Sequence, residues 1–174
     1  MLATVRRTSF VGMQCSVART LEVVGEWWTI LILRSAFSGV RRFDDFQRNL
    51  GIARNVLANR LQTLVDNGIL ERRRYQERPE RFEYRLTDRG RDLYPVVVSM
   101  LRWGDRWATE GEPGPPVILT HSTCGHDVSP QFTCPACGEA ITPRAMRWRY
   151  AHHVPAEQRV VVGGLAQGAP VTPA

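Results

Sequence analysis

The apolar positions near the start of the chain recur at helical spacing. Between about residues 15 and 36 they alternate steps of four and three, as one face of a helix requires: Val17, Leu21, Val24, Trp28 and Leu31. Gly25 interrupts the pattern, so it predicts two helices that meet near this residue. The second helix, which starts at Trp27, is apolar nearly all round, and we expect it at the centre of the core.

Two further helices are predicted before residue 68. Phe43, Phe46 and Leu50 have helical spacing, and Gly51 is typical of a helix end, so a short helix should span about 43–50. A longer one should span about Ala53–Asn67, with Gly68 just beyond its end. Four of its apolar residues share the inward face: Leu57, Leu61, Leu64 and Val65.

A basic hairpin and a last helix follow. Apolar and charged residues alternate from Phe82 to Leu86, which is the period of a half-buried strand, and Arg78-Pro79-Glu80 favours a hairpin tip. These features predict a two-stranded wing. The helix that opens at Thr87 should be kinked or displaced by Pro95. A monomer of this size could not easily cover the apolar stripe of this helix, so we expect a homodimer. The stripe consists of Leu93, Val97, Met100, Leu101 and Trp107.

This order of elements is the layout of a winged helix-turn-helix, in which the helix at 53–67 would be the recognition helix. With Leu61 turned inward, five residues point outward or lie at the edge: Asn55, Val56, Asn59, Gln62 and Thr63. Asn and Gln carry a donor and an acceptor that match the adenine edge in the major groove. The alternative is a merely solvated helix face. The predicted fold class is mainly α with a small β-wing, plus a small zinc-ribbon-like C-terminal module.

Charge is concentrated in the same part of the chain. Residues 1–109 carry 19 Arg and 12 acidic residues, a charge of +7, whereas the remainder carries −1. All 23 basic residues are Arg, whose permanently charged guanidinium suits phosphate. Six of them flank the predicted recognition helix or the wing tip and are expected to contact phosphates: Arg41, Arg42, Arg54, Arg60, Arg78 and Arg81. A scattered arginine surface is the alternative interpretation.

Several blocks in fixed order over residues 15–107 resemble the HxlR-type family of MarR-like bacterial transcription regulators. They are residues 15–34, Arg41-Arg-Phe-Asp-Asp-Phe-Gln, Val56-Leu-Ala-Asn-Arg-Leu-Gln-Thr-Leu and Tyr84-Arg-Leu-Thr-Asp-Arg-Gly. The resemblance implies a homodimer, built through the N-terminal and post-wing helices, that binds an inverted repeat in double-stranded DNA. The chain departs from the family at Ala53-Arg54-Asn55, where Ser-Pro-Arg is common. The customary N-cap hydroxyl is lost, at a cost of about 1 kcal/mol in helix stability.

The C-terminal segment has the spacing of a zinc site. His121-x2-Cys124-Gly is followed after nine residues by Cys134-x2-Cys137-Gly, and four such ligands would close a tetrahedral Zn²⁺ site. His126 is the competing fourth ligand. A closed site leaves no position for a catalytic water, so a structural role is favoured. The alternatives are a Cys134–Cys137 redox pair and unliganded thiols.

Cys15 stands apart at the start of the first predicted helix. The helix dipole there favours a thiolate, and some members of the resembling family sense oxidants or electrophiles near this position. A redox sensor is therefore one interpretation of Cys15, and a packed small hydrophobe is the other. A small-molecule effector is the second kind of signal that we expect for such a regulator.

The predicted organisation has five parts: an N-terminal arm (1–14), the winged helix-turn-helix and dimerisation domain (15–109), a linker (110–116), the zinc-ribbon-like module (117–150) and a flexible tail (151–174). No apolar run approaches the ~20 residues of a membrane span, and no secretory signal is evident, so a cytoplasmic location without membrane contact is expected. The main hypothesis is a transcription regulator and not an enzyme. The alternatives are a zinc or thiol oxidoreductase and a non-DNA protein-interaction module.

Overall fold

The computed structural model describes residues 9–10, 12–13, 15–108, 111, 114–147, 151 and 155. The predicted N-terminal arm and C-terminal tail lie almost wholly outside these residues. The elements confirm a mainly helical winged helix-turn-helix with a two-stranded wing: α1 Ser16–Val24, α2 Trp27–Phe37, α3 Phe43–Leu50, α4 Arg54–Asp66, β1 Leu70–Gln76, β2 Arg81–Leu86, α5 Asp88–Arg91 and α6 Tyr94–Trp107. Within the part described, no helix is both long and apolar enough to cross a bilayer.

Helix α2 lies at the centre of the core, as its nearly uniform apolar sequence predicts. It contacts α1, α3, α4, α6 and β2. Ile32 and Leu33 of α2 and Phe46 of α3 are fully buried. Helix α4 packs on them through Leu57, Leu61 and Leu64, which are fully buried as predicted. Val65, the fourth residue predicted to face inward, is half-buried. This packing fixes which face of α4 is turned outward.

Glycine and proline place the helix ends where the sequence predicts. At the junction of α1 and α2, a Cβ on Gly25 would lie 2.4 Å from the carbonyl oxygen of Leu21, so no larger residue fits without a backbone shift. Gly51 ends α3 with a left-handed φ of 63°. Pro95 lies in the first turn of α6, and the helical stretch after the wing is divided into α5 and α6. Proline thus displaces the helix start.

Several apolar residues that were expected to face inward are exposed. Val17 and Leu21 of α1 are 67% and 43% exposed, because α1 buries Ala18 and Val24 instead. Trp27 is 88% exposed, although the rest of α2 is largely covered. On α6, Val97 and Val98 are buried while a second apolar face is open to solvent: Val96, Met100, Trp103 and Trp107. The spacing predicted a buried face for α1 that this chain does not cover, whereas the exposed Met100 and Trp107 of α6 belong to the stripe predicted to lie in a homodimer interface.

The wing is joined to the helix-turn-helix by a third segment that the sequence did not reveal. Strands β1 and β2 pair antiparallel, with Leu70 opposite Leu86 and a bulge between Arg74 and Gln76. Arg42, just before α3, forms an antiparallel bridge to Glu83 of β2. The N–H of Tyr84 donates to the carbonyl oxygen of Arg41 at 2.8 Å. The wing is therefore held against the start of α3.

Residues 117–147 contain two closed loops and no helix or strand. A bridge between Thr120 and Asp127 closes the first loop, and one between Thr133 and Ala140 closes the second. Only Leu119 and Cys134 of this segment are half-buried, and every other residue is exposed. The zinc-ribbon-like module stays a prediction.

Candidate nucleic-acid interface

The outward face of α4 presents two free carboxamides one helical turn apart. Asn55 and Asn59 are exposed, and neither side chain makes a hydrogen bond within the described chain. Leu57 and Leu61, buried on the opposite face, set this orientation. A carboxamide that already faces solvent can pair with a base edge without first breaking a protein hydrogen bond.

Three other residues of the predicted readout face are occupied within the protein. The Nε2 of Gln62 donates to Oδ1 of Asp66 at 2.7 Å. The hydroxyl of Thr63 donates to the carbonyl oxygen of Asn59 at 2.9 Å, which turns it toward its own helix. Val56 is half-buried and packs against the core, as an edge residue would. Asn55 and Asn59 are therefore the carboxamide residues of this face that make no side-chain hydrogen bond within the described residues.

Arg54 joins the first turn of α4 to α3. Its Nη1 donates to Gln47 at 2.9 Å and to Asp44 at 3.1 Å, and its guanidinium lies 4.8 Å from the centre of the Phe43 ring. Ala53 provides no side-chain cap for the helix, as its sequence predicts. The Arg54 side chain remains exposed, so it can contact a phosphate while α3 restricts its position.

Arg60 is less accessible than the other arginines predicted to contact phosphates, which are all exposed. Its side chain is only 25% exposed and forms an ion pair with Glu26 at 3.6 Å. Its Nε is buried and has no hydrogen-bond partner in the described structure. Position 60 lies beside the inward Leu61, on the side of α4 that faces the start of α2. Helical spacing within α4 could not show this contact, because Glu26 belongs to a distant part of the sequence.

The wing tip carries two cations that are not neutralised. Arg78 and Arg81 are exposed, and neither forms an ion pair with a described residue. The arginines of β1 differ, because each has a partner within the wing. Arg72 lies over the Phe82 ring at 3.5 Å, Arg73 pairs with Glu71 at 2.6 Å, and Arg74 pairs with Glu80 at 3.4 Å and Glu77 at 3.7 Å. Within the wing, the arginines that have neither an ion pair nor a ring contact are therefore Arg78 and Arg81.

Arg41 and Arg42 lie where the start of α3 meets the wing. Both are exposed, and the Arg42 guanidinium lies 4.6 Å from the centre of the Tyr75 ring of β1. Backbone pairing with Glu83 and Tyr84 holds both residues in place. The Tyr75 contact could not be deduced from residue spacing, because it depends on the register of the hairpin.

The predicted metal and redox residues occupy two separate regions. Cys15 is the half-buried N-cap residue of α1 and makes no side-chain cap hydrogen bond. In the C-terminal segment, Nδ1 of His121 lies 3.2 Å from Sγ of Cys124. The backbone N–H groups of Cys137 and Ala136 and the Cys137 side chain donate hydrogen bonds to Cys134, and these lower the pKa of the Cys134 thiol. In the ranges the structure covers, no three His, Cys, Asp or Glu side chains yet surround one metal position.

Comparison with known proteins identifies the family. A family profile described as an HxlR-like helix-turn-helix matches residues 23–112, which include α2 to α6 and the wing. The chain belongs to the HxlR family. This HxlR-family chain is 53% identical over 129 residues to Rv3095 of Mycobacterium tuberculosis, an uncharacterised HTH-type transcriptional regulator. The match spans 74% of this chain and 81% of Rv3095. The curated relatives that it matches at this level are described as HTH-type transcriptional regulators.

Solved structures support the same assignment. The HxlR-family chain is similar to PA1607, a candidate transcription factor, with a TM-score of 0.74 and 36% identity over 83% of this chain and 100% of that one. It is also similar to the oxidised form of HypR, a redox regulator, with a TM-score of 0.50 and 35% identity. That match covers 53% of this chain and 96% of HypR. The chain therefore shares its fold with a protein described as a candidate transcription factor and, over about half of its length, with one described as a redox regulator.

Proposed function

We propose that this HxlR-family chain is a homodimeric transcription regulator that binds an inverted-repeat operator in double-stranded DNA. One observation carries the proposal. The carboxamides of Asn55 and Asn59 face solvent from a helix whose opposite side is locked in the core, and unneutralised arginines lie at the wing tip. Base-reading groups and phosphate-binding groups thus belong to one small fold.

Helix α4 has dimensions suited to a major groove. Its 13 residues span about 20 Å at the usual rise, and a helix with its side chains is about as wide as the groove. Asn55 and Asn59 lie in its N-terminal half, which is the part of a recognition helix that contacts base edges. Bidentate pairing of asparagine with adenine then leads us to expect A·T pairs at two positions of each half-site.

A second copy of the chain is the partner we propose for the open apolar faces of α1 and α6. Both helices pack on α2, and both leave large apolar side chains uncovered. A two-fold dimer would bury these faces and would present two copies of α4 about one helical turn of DNA, ~10 bp, apart. The operator would then be an inverted repeat because it matches the symmetry of the protein.

The proposed readout is tested with Asn55→Ala and Asn59→Ala. Selection of bound fragments from the host genome first supplies the operator. Each substitution is expected to reduce discrimination against a changed A·T pair by about 5- to 150-fold, since a good bidentate contact contributes ~1–3 kcal/mol. Affinities for operator and mutated duplexes, measured by fluorescence anisotropy at fixed salt, provide the comparison.

Gln131→Ala is the matched control, because it removes an exposed carboxamide outside the winged helix-turn-helix. It should leave discrimination unchanged. The proposal would be wrong if both α4 variants, folded by circular dichroism, still distinguished operator from mutated duplexes as well as the parent chain does. That result would show that α4 does not read bases.

The dimer is tested with Trp103→Glu. Trp103 is 64% exposed in the single chain, so the change should not disturb the monomer fold. At a two-fold interface each substitution counts twice, and loss of a buried tryptophan at each site weakens the dimer by about a thousandfold or more. Sedimentation equilibrium of the variant and the parent chain measures this shift.

Ile141→Glu introduces the same charge at an exposed apolar residue of the C-terminal segment and should leave the dimer intact. A parent chain that is monomeric at micromolar concentration, or a Trp103→Glu variant that dimerises normally, would contradict the proposed interface.

The input to the regulator is either redox chemistry or a small molecule. HypR is described as a redox regulator. In this chain Cys15 is the N-cap residue of α1, one of the two helices proposed to form the dimer interface. Oxidation at Cys15 would therefore act on subunit packing. This role of Cys15 stays a prediction.

A further inference from the structure

The two loops of the C-terminal segment are structural copies of one another. We call Leu119–Val128 the first loop and Phe132–Ile141 the second loop. Each is closed by a 2.8 Å hydrogen bond from the N–H of its last residue to the carbonyl oxygen of its first. Two inner bonds are repeated at the same offset: His121 N–H to His126 and Gly125 N–H to His121 in the first loop, and Cys134 N–H to Glu139 and Gly138 N–H to Cys134 in the second.

Each loop depends on a glycine at the same position. Gly125 and Gly138 have φ values of 71° and 75°, which are left-handed conformations that favour glycine. Each follows directly after a cysteine, Cys124 or Cys137. The repeat is therefore encoded by the sequence, and it places His121 opposite Cys134 and Cys124 opposite Cys137.

The equivalent positions of the two loops all carry side chains that bind soft metals. In the first loop Nδ1 of His121 and Sγ of Cys124 are 3.2 Å apart, close to the ~3.5 Å edge expected for an N and an S ligand on one tetrahedral Zn²⁺. In the second loop the Cys137 side chain lies within hydrogen-bonding reach of the Cys134 thiol, which also accepts from the backbone N–H groups of Cys137 and Ala136. Each loop thus forms a two-ligand half-site.

The segment also lacks the usual sources of stability. No residue from 117 to 147 is buried, and several large apolar side chains are exposed, among them Ile118 and Phe132. Cys124, Cys134 and Cys137 are free thiols, so no disulfide supports the segment. Modules of this size that lack a core are generally held together by disulfides or by a metal ion.

We propose that His121, Cys124, Cys134 and Cys137 bind one Zn²⁺ ion that joins the two loops. The four side chains do not surround one point in the described structure, so Zn²⁺ would bind by bringing the two half-sites together and not by entering a preformed site. The connection from Ser129 to Gln131 is short and exposed, and its Pro130 and Gln131 line a cavity with Trp103 and Trp107 of α6. Binding releases the protons of the three thiols to solvent and leaves the imidazole neutral. With four protein ligands the site is structural.

The repeat also decides between the two histidines. The counterpart of His126 in the second loop is Glu139, and both contribute the backbone carbonyl that accepts the N–H of the first ligand residue. The counterpart of His121 is Cys134, which is a ligand position. His121 is therefore assigned as the ligand, and His126→Gln is a suitable control.

The full chain, purified without chelator, should contain one zinc ion per chain by elemental mass spectrometry. His121→Gln, Cys124→Ser and Cys137→Ser should each weaken Zn²⁺ binding by more than about a hundredfold, while Cys15→Ser and His126→Gln should keep it. Replacement of zinc by Co²⁺ should produce thiolate-to-cobalt charge-transfer absorbance in the parent chain and less of it in Cys124→Ser.

The proposal is overturned if the chain purified under reducing conditions holds no zinc and takes up none when Zn²⁺ is added, or if the ligand variants retain it. Circular dichroism of each variant shows whether the helices of residues 16–107 remain folded, so a loss of metal can be separated from global unfolding. Binding to DNA serves as an independent measurement, because the proposed regulator function does not depend on zinc.

Discussion

Phe46→Ala should lower the free energy of unfolding by about 3–5 kcal/mol. Phe46 is the largest of the fully buried side chains and belongs to a cluster that includes Leu33 of α2 and Leu57 of α4. Truncation to alanine removes its favourable burial and leaves a cavity that these helices cannot fill without moving. Urea titration followed by far-ultraviolet circular dichroism measures the change.

Phe132→Ala is the matched control, since Phe132 is 57% exposed and lies outside this cluster. Its effect should stay within about 0.5 kcal/mol, as for most surface substitutions. If Phe46→Ala lowered the free energy of unfolding no more than Phe132→Ala does, the described packing of α3 between α2 and α4 would be contradicted.

The wing variant Arg78→Ala plus Arg81→Ala should bind every duplex more weakly, whatever its sequence. A dimer would lose four phosphate contacts, and each contributes about 0.9 to the slope of log affinity against log salt. We therefore expect the slope to fall by roughly three to four, with about a hundredfold loss of affinity at low salt. Discrimination between operator and mutated duplexes should change little, because phosphate contacts do not read bases.

Arg144→Ala plus Arg147→Ala removes the same charge from the C-terminal segment, so it separates local contacts from net charge. An equal loss of affinity in both double variants would mean that only overall charge matters. A parent-like salt slope in the wing variant would exclude the wing from the interface.

The order and type of the elements could be predicted because they depend on local patterns. The spacing of Leu57, Leu61 and Leu64 identifies one face of α4 whatever it packs against, and Gly51 ends α3 through its own backbone preference. Helical spacing also correctly places the Asn55 and Asn59 side chains on the exposed face of α4. For α1, helical spacing did not predict burial correctly, because Val17 and Leu21 share a helical face that this chain alone does not cover.

The partners of the arginines could not be predicted from local patterns. Whether Arg60 reaches solvent depends on Glu26, which is 34 residues earlier in the chain. Arg72 to Arg74 form a conspicuous basic run, yet the hairpin places Phe82 beside Arg72 and Glu80 beside Arg74, while Arg73 pairs with Glu71 of its own strand. The number of arginines in the sequence therefore overstates how many are free to contact DNA phosphates. In the structure, several of them are already paired with acids or packed on an aromatic ring.

The pairing of Arg42 with Glu83 also has a consequence for operator architecture. Because the backbone ties the wing to the start of α3, and Arg54 ties α3 to the start of α4, the hairpin tip and the recognition helix have little freedom to move independently. If α4 and the wing bind one duplex as proposed, the distance between their contacts along the DNA is therefore nearly fixed. Operators in which the flanking contact is displaced from that distance should then bind more weakly, even when their bases match.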